Sequence, residues 1–365
     1  GNPASSGGFG YFVRDRHATD DIIHTLSQPY GAAHWWPCKQ TLLDKIDSID
    51  LFITTHKDMK VASNGLLVGE KQINTLNTEY HWKHRYPIVT YLVAIAVTNY
   101  SEYTEYAKIP SRPDGLPILN YVFPQFASIY PDQTDTTVQI LKAFDRVFGD
   151  YPFAKEKYGH AQFMWGGGME HQTMTTQGFF EKTLTAHELA HQWWGNNVTC
   201  ASWCDIWINE GFASYSEYLM LAALYNGQQA NHMTQVHQSV MNQPGGSVWV
   251  LDSLNEARIF SGRLTYDKGA GIIHTLRYLI NNDNLFFAAL QDFQSTFSNS
   301  TATGLDFKNH VANFCNINLD AFFEQWYFGE GFPTYQVQYN QVGNDLLLEI
   351  SHSTSMPSIT PTFTN

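Results

Sequence analysis

The segment "TLTAHELAHQWWGN", residues 183 to 196, places His187 and His191 four residues apart, with Glu188 directly after the first. On an α-helix four residues advance about 400°, which leaves the two imidazoles about 40° apart, one turn above the other. That spacing lets both reach one ion. Zinc takes such nitrogen ligands in tetrahedral sites, and catalytic zinc keeps three protein ligands with water in the fourth position. Glu188 stands about 100° round from His187, off the ligand face but near enough to act as general base on that water. A purely structural account competes with this one. Thr185-Ala-His-Glu188 also fits a capping box, in which Glu188 satisfies a backbone donor at a helix start.

A zinc site of this kind needs a third ligand. "WINEGFASYSEY" supplies Glu210, with eighteen residues between it and His191. The intervening "GNNVTCASWCD" carries turn signals, so one helix can end near Gly195 and another can begin near Glu210. A lone glutamate at a helix start ordinarily offsets the helix dipole. After the histidine pair, at this distance, Glu210 reads as the third ligand of one zinc ion per chain. Upstream, "GGGMEHQT" (166 to 173) sets Glu170 17 residues before His187. Its glycines, Gly167 and Gly168 among them, bring backbone N–H groups close to a ligand, and Glu170 suits a cationic group such as a free α-amine. Taken alone, the same glycine run would read as a flexible loop.

These residues need elements to hold them. The first hundred residues read as strands. "SIDLFITTH" alternates, "KVASNGLLVGEKQ" carries an Asn-Gly turn, and "IVTYLVAIAV" is rich in β-branched residues. The Pro-rich "PSRPDGLP" at 110 to 117 marks a boundary. Helical periods follow in "TTVQILKAFDRVFG", "NEGFASYSEYLMLAALYNG" and "DKGAGIIHTLRYLINN", and helical text runs to about residue 329. From residue 334 strand alternation returns. The reading is α+β: a partial N-terminal β domain (1–111), a mostly helical catalytic domain (112–333) and the start of a C-terminal β segment (334–365).

Composition excludes several classes. A net charge of −13, with no basic cluster, argues against a nucleic-acid partner. The longest apolar run, residues 88 to 97, is half of the roughly 20 residues that a membrane-spanning helix needs, so no transmembrane segment is expected. Four cysteines in 365 residues are too few for a disulfide framework. Cys200 and Cys204 are close enough in sequence to pair, with buried free thiols as the alternative. Asn99-Tyr-Ser, Asn197-Val-Thr and Asn299-Ser-Thr fit the glycosylation pattern at a frequency chance also supplies. A secreted, periplasmic or cell-surface setting is slightly favoured over a cytoplasmic one. The chain opens GNPASSGG, so residue 1 reads as the product of processing or as the start of a fragment.

Taken together, "GGMEHQ", "HELAHQWWGN", "WINEGFASYSEY" and the later "YDKGAG" resemble the aminopeptidase N family of zinc metallopeptidases. Weaker similarity runs through "PYGAAHWWPCKQ", "VASNG" and "FFEQWYFGEGFP". The resemblance implies a saddle-shaped β domain followed by a thermolysin-like catalytic domain, here as a fragment of a longer chain. It implies zinc on His187, His191 and Glu210, Glu188 as the base, and Glu170 holding the α-amine of a peptide with a free N-terminus. It further implies Tyr266 as donor to the tetrahedral oxyanion and Gln28 as a second amine-binding residue. Glu217, seven residues after Glu210 on nearly the same face, fits a partner for a ligand histidine. His171 departs from the family motif, which has Asn there. The activity implied is removal of N-terminal residues from peptides. An endopeptidase or epoxide-type hydrolase of the same fold, and a catalytically silent binding module, are the alternatives.

Overall fold

A computed structural model describes residues 11–363, so the opening GNPASSGG lies outside the described residues. The alternating text of the first hundred residues folds into β1 (Tyr11–His17), β2 (Asp20–Leu26), β3 (Ile49–His56), β4 (Lys60–Ser63), β5 (Leu66–Gln72), β6 (Asn77–His84) and β7 (Ile95–Thr98). They form two antiparallel sheets, β1-β2-β7-β4 and β3-β6-β5. Two expectations change here. The Asn64-Gly65 turn does not close a hairpin, because β4 pairs with β7 whereas β5 pairs with β6. The chain changes sheets at that turn, and the Asn64 side chain bonds to Leu92, Ala94 and Gln172 instead. In "IVTYLVAIAV" only the end is strand; Thr90–Leu92 form a 3₁₀ turn. That run is apolar because it is buried on all sides, and a buried run carries no period to separate strand from coil.

The Pro-rich stretch starts at the turn between β8 (Ser101–Ile109) and β9 (Arg112–Val122) and runs on into β9 itself. With β10 (Tyr158–Gln162), β11 (Gly168–Met169) and β12 (Thr175–Gln177) these make a five-stranded sheet ordered β11-β12-β10-β9-β8, with β11 at one edge. Helices α1 (Pro131–Phe148), α2 (Lys182–Ala190), α3 (Trp207–Leu224), α4 (Gln228–Met241), α5 (Glu256–Ile259), α6 (Gly269–Ile280), α7 (Asp283–Thr296), α8 (Gly304–Cys315) and α9 (Asp320–Phe323) follow. A short parallel pair, β13 (Val198–Cys200) and β14 (Ser300–Ala302), ties the segment after α2 to the one between α7 and α8. The last strands, β15 (Pro333–Val342) and β16 (Asp345–Thr354), form an antiparallel hairpin.

The core follows from the helical periods. The apolar face of α1, including Ile140, Leu141, Phe144 and Phe148, packs with Trp193, Trp194 and Phe212. A second cluster, with Val61, Trp82, Val97, Tyr121 and Met174, joins the N-terminal sheets to the five-stranded one. Lys157 is buried at that seam. Its Nζ donates to the carbonyls of Thr173 and Ser63 and lies 5.6 Å from the Trp82 ring centroid. All four cysteines are free thiols, so Cys200 and Cys204 do not pair. Asn197 is buried with its amide donating to Gln294, which removes it as a glycan acceptor. No helix among the described residues is long and apolar enough to cross a membrane.

Helices α3 and α6 cross at two glycines. A Cβ on Gly269 would come within 2.8 Å of the Gly211 Cα, closer than real Cβ atoms approach. This crossing sets the distance between Glu210 and the turn carrying Tyr266. Gly269→Ala is expected to force the helices apart at a cost of about 1–3 kcal/mol, read as a lower midpoint in denaturant unfolding.

Candidate metal centre and substrate cleft

Helix α2 starts earlier than a cap at Thr185 would require. Its N-cap is Glu181, whose carboxylate accepts from the backbone N–H groups of Thr183 and Leu184. The capping-box account of Glu188 therefore fails. Glu188 sits in the interior of the helix with its carboxylate buried, and its Oε2 has no hydrogen-bond partner. Burial of a carboxylate disfavours its charged form, and Glu188 is pushed up to about 8 by burial against the pull of both histidines.

His187 and His191 lie on the same side of α2, and Glu210 comes from the first turn of α3. Each histidine Nε2 is 3.2 Å from Glu210 Oε2. One donor atom from each of the three lies within 4.8 Å of the others. The remaining ring nitrogens are already committed. His187 Nδ1 pairs with Glu217 Oε1 at 2.9 Å, and His191 Nδ1 faces the Trp194 carbonyl at 2.9 Å. Such outer bonds fix which nitrogen is free for a metal. Two imidazole nitrogens and a carboxylate oxygen, with a buried carboxylate left over beside them, fit a zinc ion. Burial works to lower the basicity of both histidines, but the neighbouring carboxylates outweigh it and raise His191 to about 9. A divalent cation supplies the same positive charge as those protons, and its binding releases them.

Tyr266 lies on a wide π turn, Gly262–Lys268, that leads into α6. Turns of this kind recur at functional sites. The ring is stacked on His187, with centroids 5.8 Å apart and planes 16° from parallel. Burial, reinforced by Glu210 and Glu170, keeps its phenol protonated well past the ordinary range.

Across the cleft, β11 is the edge strand nearest α2. The glycine run has a steric reason here: a Cβ on Gly168 would meet Glu188 Oε1 at 2.3 Å. Glu170 Oε1 accepts from Gln28 Nε2 at 3.1 Å, and the Glu170 carbonyl accepts from Asn196 Nδ2 at 2.8 Å. A carboxylate oxygen of Glu170, one of Glu188 and a ring nitrogen of His191 also lie within 4.8 Å of one another. Gln28, Gly167, Gly168, Glu170, His187, Glu188, His191, Glu210 and Tyr266 all line one cleft of about 430 Å³. His171 does not line it. Its Nδ1 pairs with Thr176 Oγ1 at 3.1 Å behind the strand, and burial lowers its pKa to about 3, so it is a neutral packing residue.

Sequence reasoning missed several members of the site. Leu26, Trp165, Met169, Phe179 and Phe260 form its apolar walls. Asn196 and Gln192 hold the Glu170 segment from the end of α2, Gln192 by accepting from the Thr173 N–H at 2.9 Å. Nothing local marks these residues, since each acts on a partner far away in the chain.

A model of the Peptidase family M1 domain matches residues 133–326, more than half of the chain. The chain belongs to peptidase family M1. It is 27% identical over 351 residues to glutamyl aminopeptidase of Bos taurus, covering 88% of this chain and 36% of that one. It is 32% identical over 181 residues to aminopeptidase N of Mus musculus, covering 43% of this chain and 18% of that protein. The chain thus spans about a third or less of the length of these two relatives. Among solved structures, a mutant two-domain M1 zinc metallopeptidase bound to L-arginine aligns with a TM-score of 0.74 at 23% identity, covering 86% of this chain and 71% of that one. An M1 zinc metallopeptidase of Deinococcus radiodurans, bound as a mutant to a Tyr-Ser-Ala substrate, aligns at 0.69 and 23% identity, covering 80% and 66%. These likenesses show a shared fold, with an N-terminal β-rich part and a helical catalytic part.

The Glu217 bond to His187 generates a test. Glu217→Gln removes the charge that orients and enriches the imidazole while keeping the shape. It is expected to weaken divalent-metal affinity by roughly 10–100-fold, measured by competition with a chromophoric chelator.

Proposed function

We propose that this chain is the catalytic part of a zinc aminopeptidase, taking peptides with a free N-terminus and releasing the first residue. The observation that carries the reading is the position of Glu170 beside Glu188 and His191 in the cleft, where Gln28 donates to its carboxylate. A substrate ammonium paired with Glu170 would set the first peptide bond near the donor triad, because Glu170 and His191 stand within 4.8 Å of one another. His187, His191 and Glu210 would hold the ion. Bound there, zinc supplies Lewis-acid polarisation of the carbonyl and a lowered pKa for water. Glu188 takes the water's proton through its unpaired Oε2 and returns it to the leaving amine. Tyr266, kept protonated by burial, donates to the oxygen on which negative charge develops.

The cleft also constrains the first side chain. Among its lining residues none is Lys or Arg, whereas Glu170, Glu181, Glu188, Glu210 and Glu217 are carboxylates. An acidic N-terminal residue finds no counter-ion there, and an uncharged one packs against Leu26, Met169 and Phe260. To the same reading belong the division of the chain at 111/112 and 333/334 and a setting outside the cytoplasm. The latter is supported by the Asn99 and Asn299 sites alone, now that Asn197 is excluded.

Glu188→Gln keeps the shape of the carboxylate but cannot take a proton. Turnover of an aminoacyl anilide is expected to fall about 10²–10⁴-fold while zinc content stays at wild type. Loss of metal together with activity would refute the role of base. Glu170→Ala is expected to depress kcat/KM on free-amine peptides strongly, because the anchor positions the scissile bond as well as binding it. Matched N-acetylated peptides should be poor substrates of the wild type and hardly affected by the change. Efficient wild-type cleavage of acetylated peptides would sink the aminopeptidase reading in favour of an endopeptidase.

A further inference from the structure

A second cavity, of about 260 Å³, shares no lining residue with the catalytic cleft. It lies among α4, α6 and the segment that leads from α9 into β15, and its walls are apolar: Val240, Ile272, Trp326, Phe332 and Pro333. Among the described residues that line it, Lys268 is the charged one, and it is the last residue of the turn that carries Tyr266. Its side chain is buried, and its Nζ donates to the carbonyls of Gly246 at 2.7 Å and Gly329 at 3.2 Å. An ammonium has three donors, so one is left over. Trp326 brings another: its indole Nε1 is buried and has no partner. His237 also lines the cavity, and burial holds its imidazole towards the neutral form.

Positive charge is in surplus around this cavity. Burial pushes the Lys268 ammonium down to about 7, and the nearby Arg263 and Arg258 add to the push. Arg263 donates to the carbonyls of Val240, Gln243 and Gly245, and Arg258 to those of Ser247, Val248 and Trp249 and to Thr265 Oγ1. None of these partners carries charge. Glu330 is the carboxylate that acts against them on Lys268, and its Oε2 already accepts from the Gly246 N–H at 2.8 Å. A buried cation without a counter-ion is costly, which favours an anion beside it. A small hydrated anion would lose its water against apolar walls, whereas an anion with an apolar tail gains from them.

We propose that this cavity binds an apolar monocarboxylate, its head group on Lys268 and its tail against Val240, Ile272, Trp326 and Phe332. At about 30 Å³ per heavy atom, the share of a water molecule in the liquid, the volume holds roughly nine or ten such atoms, the size of octanoate.

The test is isothermal titration calorimetry of the whole zinc-loaded chain with sodium octanoate, octan-1-ol and a series of shorter and longer carboxylates. One octanoate per chain is expected, bound roughly tenfold or more tighter than octanol, because only the acid pairs charge with charge. From butanoate to octanoate each methylene should tighten binding by roughly threefold to fourfold, and the gain should stop once the cavity is full. Lys268→Met should abolish the preference for octanoate over octanol. Gly271→Leu fills the cavity and leaves Lys268 in place. A Cβ at Gly271 meets only the His237 ring, at 3.9 Å, so the helix accepts it. This variant should bind neither compound, with an unfolding midpoint at or above that of the wild type. If Lys268→Met does not fold, Gly271→Leu decides alone. No binding by the wild type at millimolar octanoate, equal affinity for acid and alcohol, or a preference kept by folded Lys268→Met would overturn the proposal. Octanoate retained by Gly271→Leu would overturn it too, by placing the acid in the catalytic cleft.

Discussion

Burying three carboxylates around two imidazoles is the constraint on which the rest of the site depends. Glu170, Glu188 and Glu210 are all withdrawn from water, and among the described residues no lysine or arginine lines the cleft to neutralise them. Such a cluster is tolerable only with positive charge at its centre, from protons on the histidines or from a metal. The electrostatics follow that logic. Glu210, between His187 and His191, is drawn below the ordinary carboxylate range although burial opposes it, whereas Glu188, beside the pair rather than between them, is pushed up. One neighbourhood thus holds a permanently charged carboxylate and another with an affinity for protons near neutrality. That separation suits one for holding a cation and the other for moving a proton.

The surrounding fold serves to keep these groups from relaxing apart. On one side α3 and α6 touch backbone to backbone at Gly211 and Gly269, which fixes Glu210 against the turn of Tyr266. On the other, the Glu170 segment is clamped between two bodies. The end of α2 reaches it through Gln192 and Asn196, and the N-terminal sheets reach it through Asn64, Gly65 and His84. The β-rich part is therefore a structural member of the site. It also contributes Gln28 directly, from the segment that follows β2.

Much of the chemistry was legible in the sequence because it is encoded locally. The histidine pair depends on helical period alone, and Glu217 could be placed because seven residues return to nearly the same face. The glycine run was ambiguous until Gly168 was seen against Glu188, since the sequence cannot say which side chain a missing Cβ makes room for. The Asn64-Gly65 turn misled for a related reason. Its composition is that of a hairpin, but the strands on either side take partners from different sheets, a choice made by long-range pairing. Residues 88–97 misled because burial erases the alternation that identifies a strand.

His171 shows how a departure from a family motif can be silent at the cleft. The residue follows Glu170 directly, so a change there looks like a change in amine binding. In a strand, however, successive side chains point to opposite faces. The chain keeps that alternation past the end of β11: Glu170 faces the cleft, and His171 faces Thr176 in the buried layer behind it. The imidazole lies deep enough to be held neutral, so it adds no charge to the cluster in front. Its contribution is to the packing of the buried layer behind the segment that carries Gly168 and Glu170.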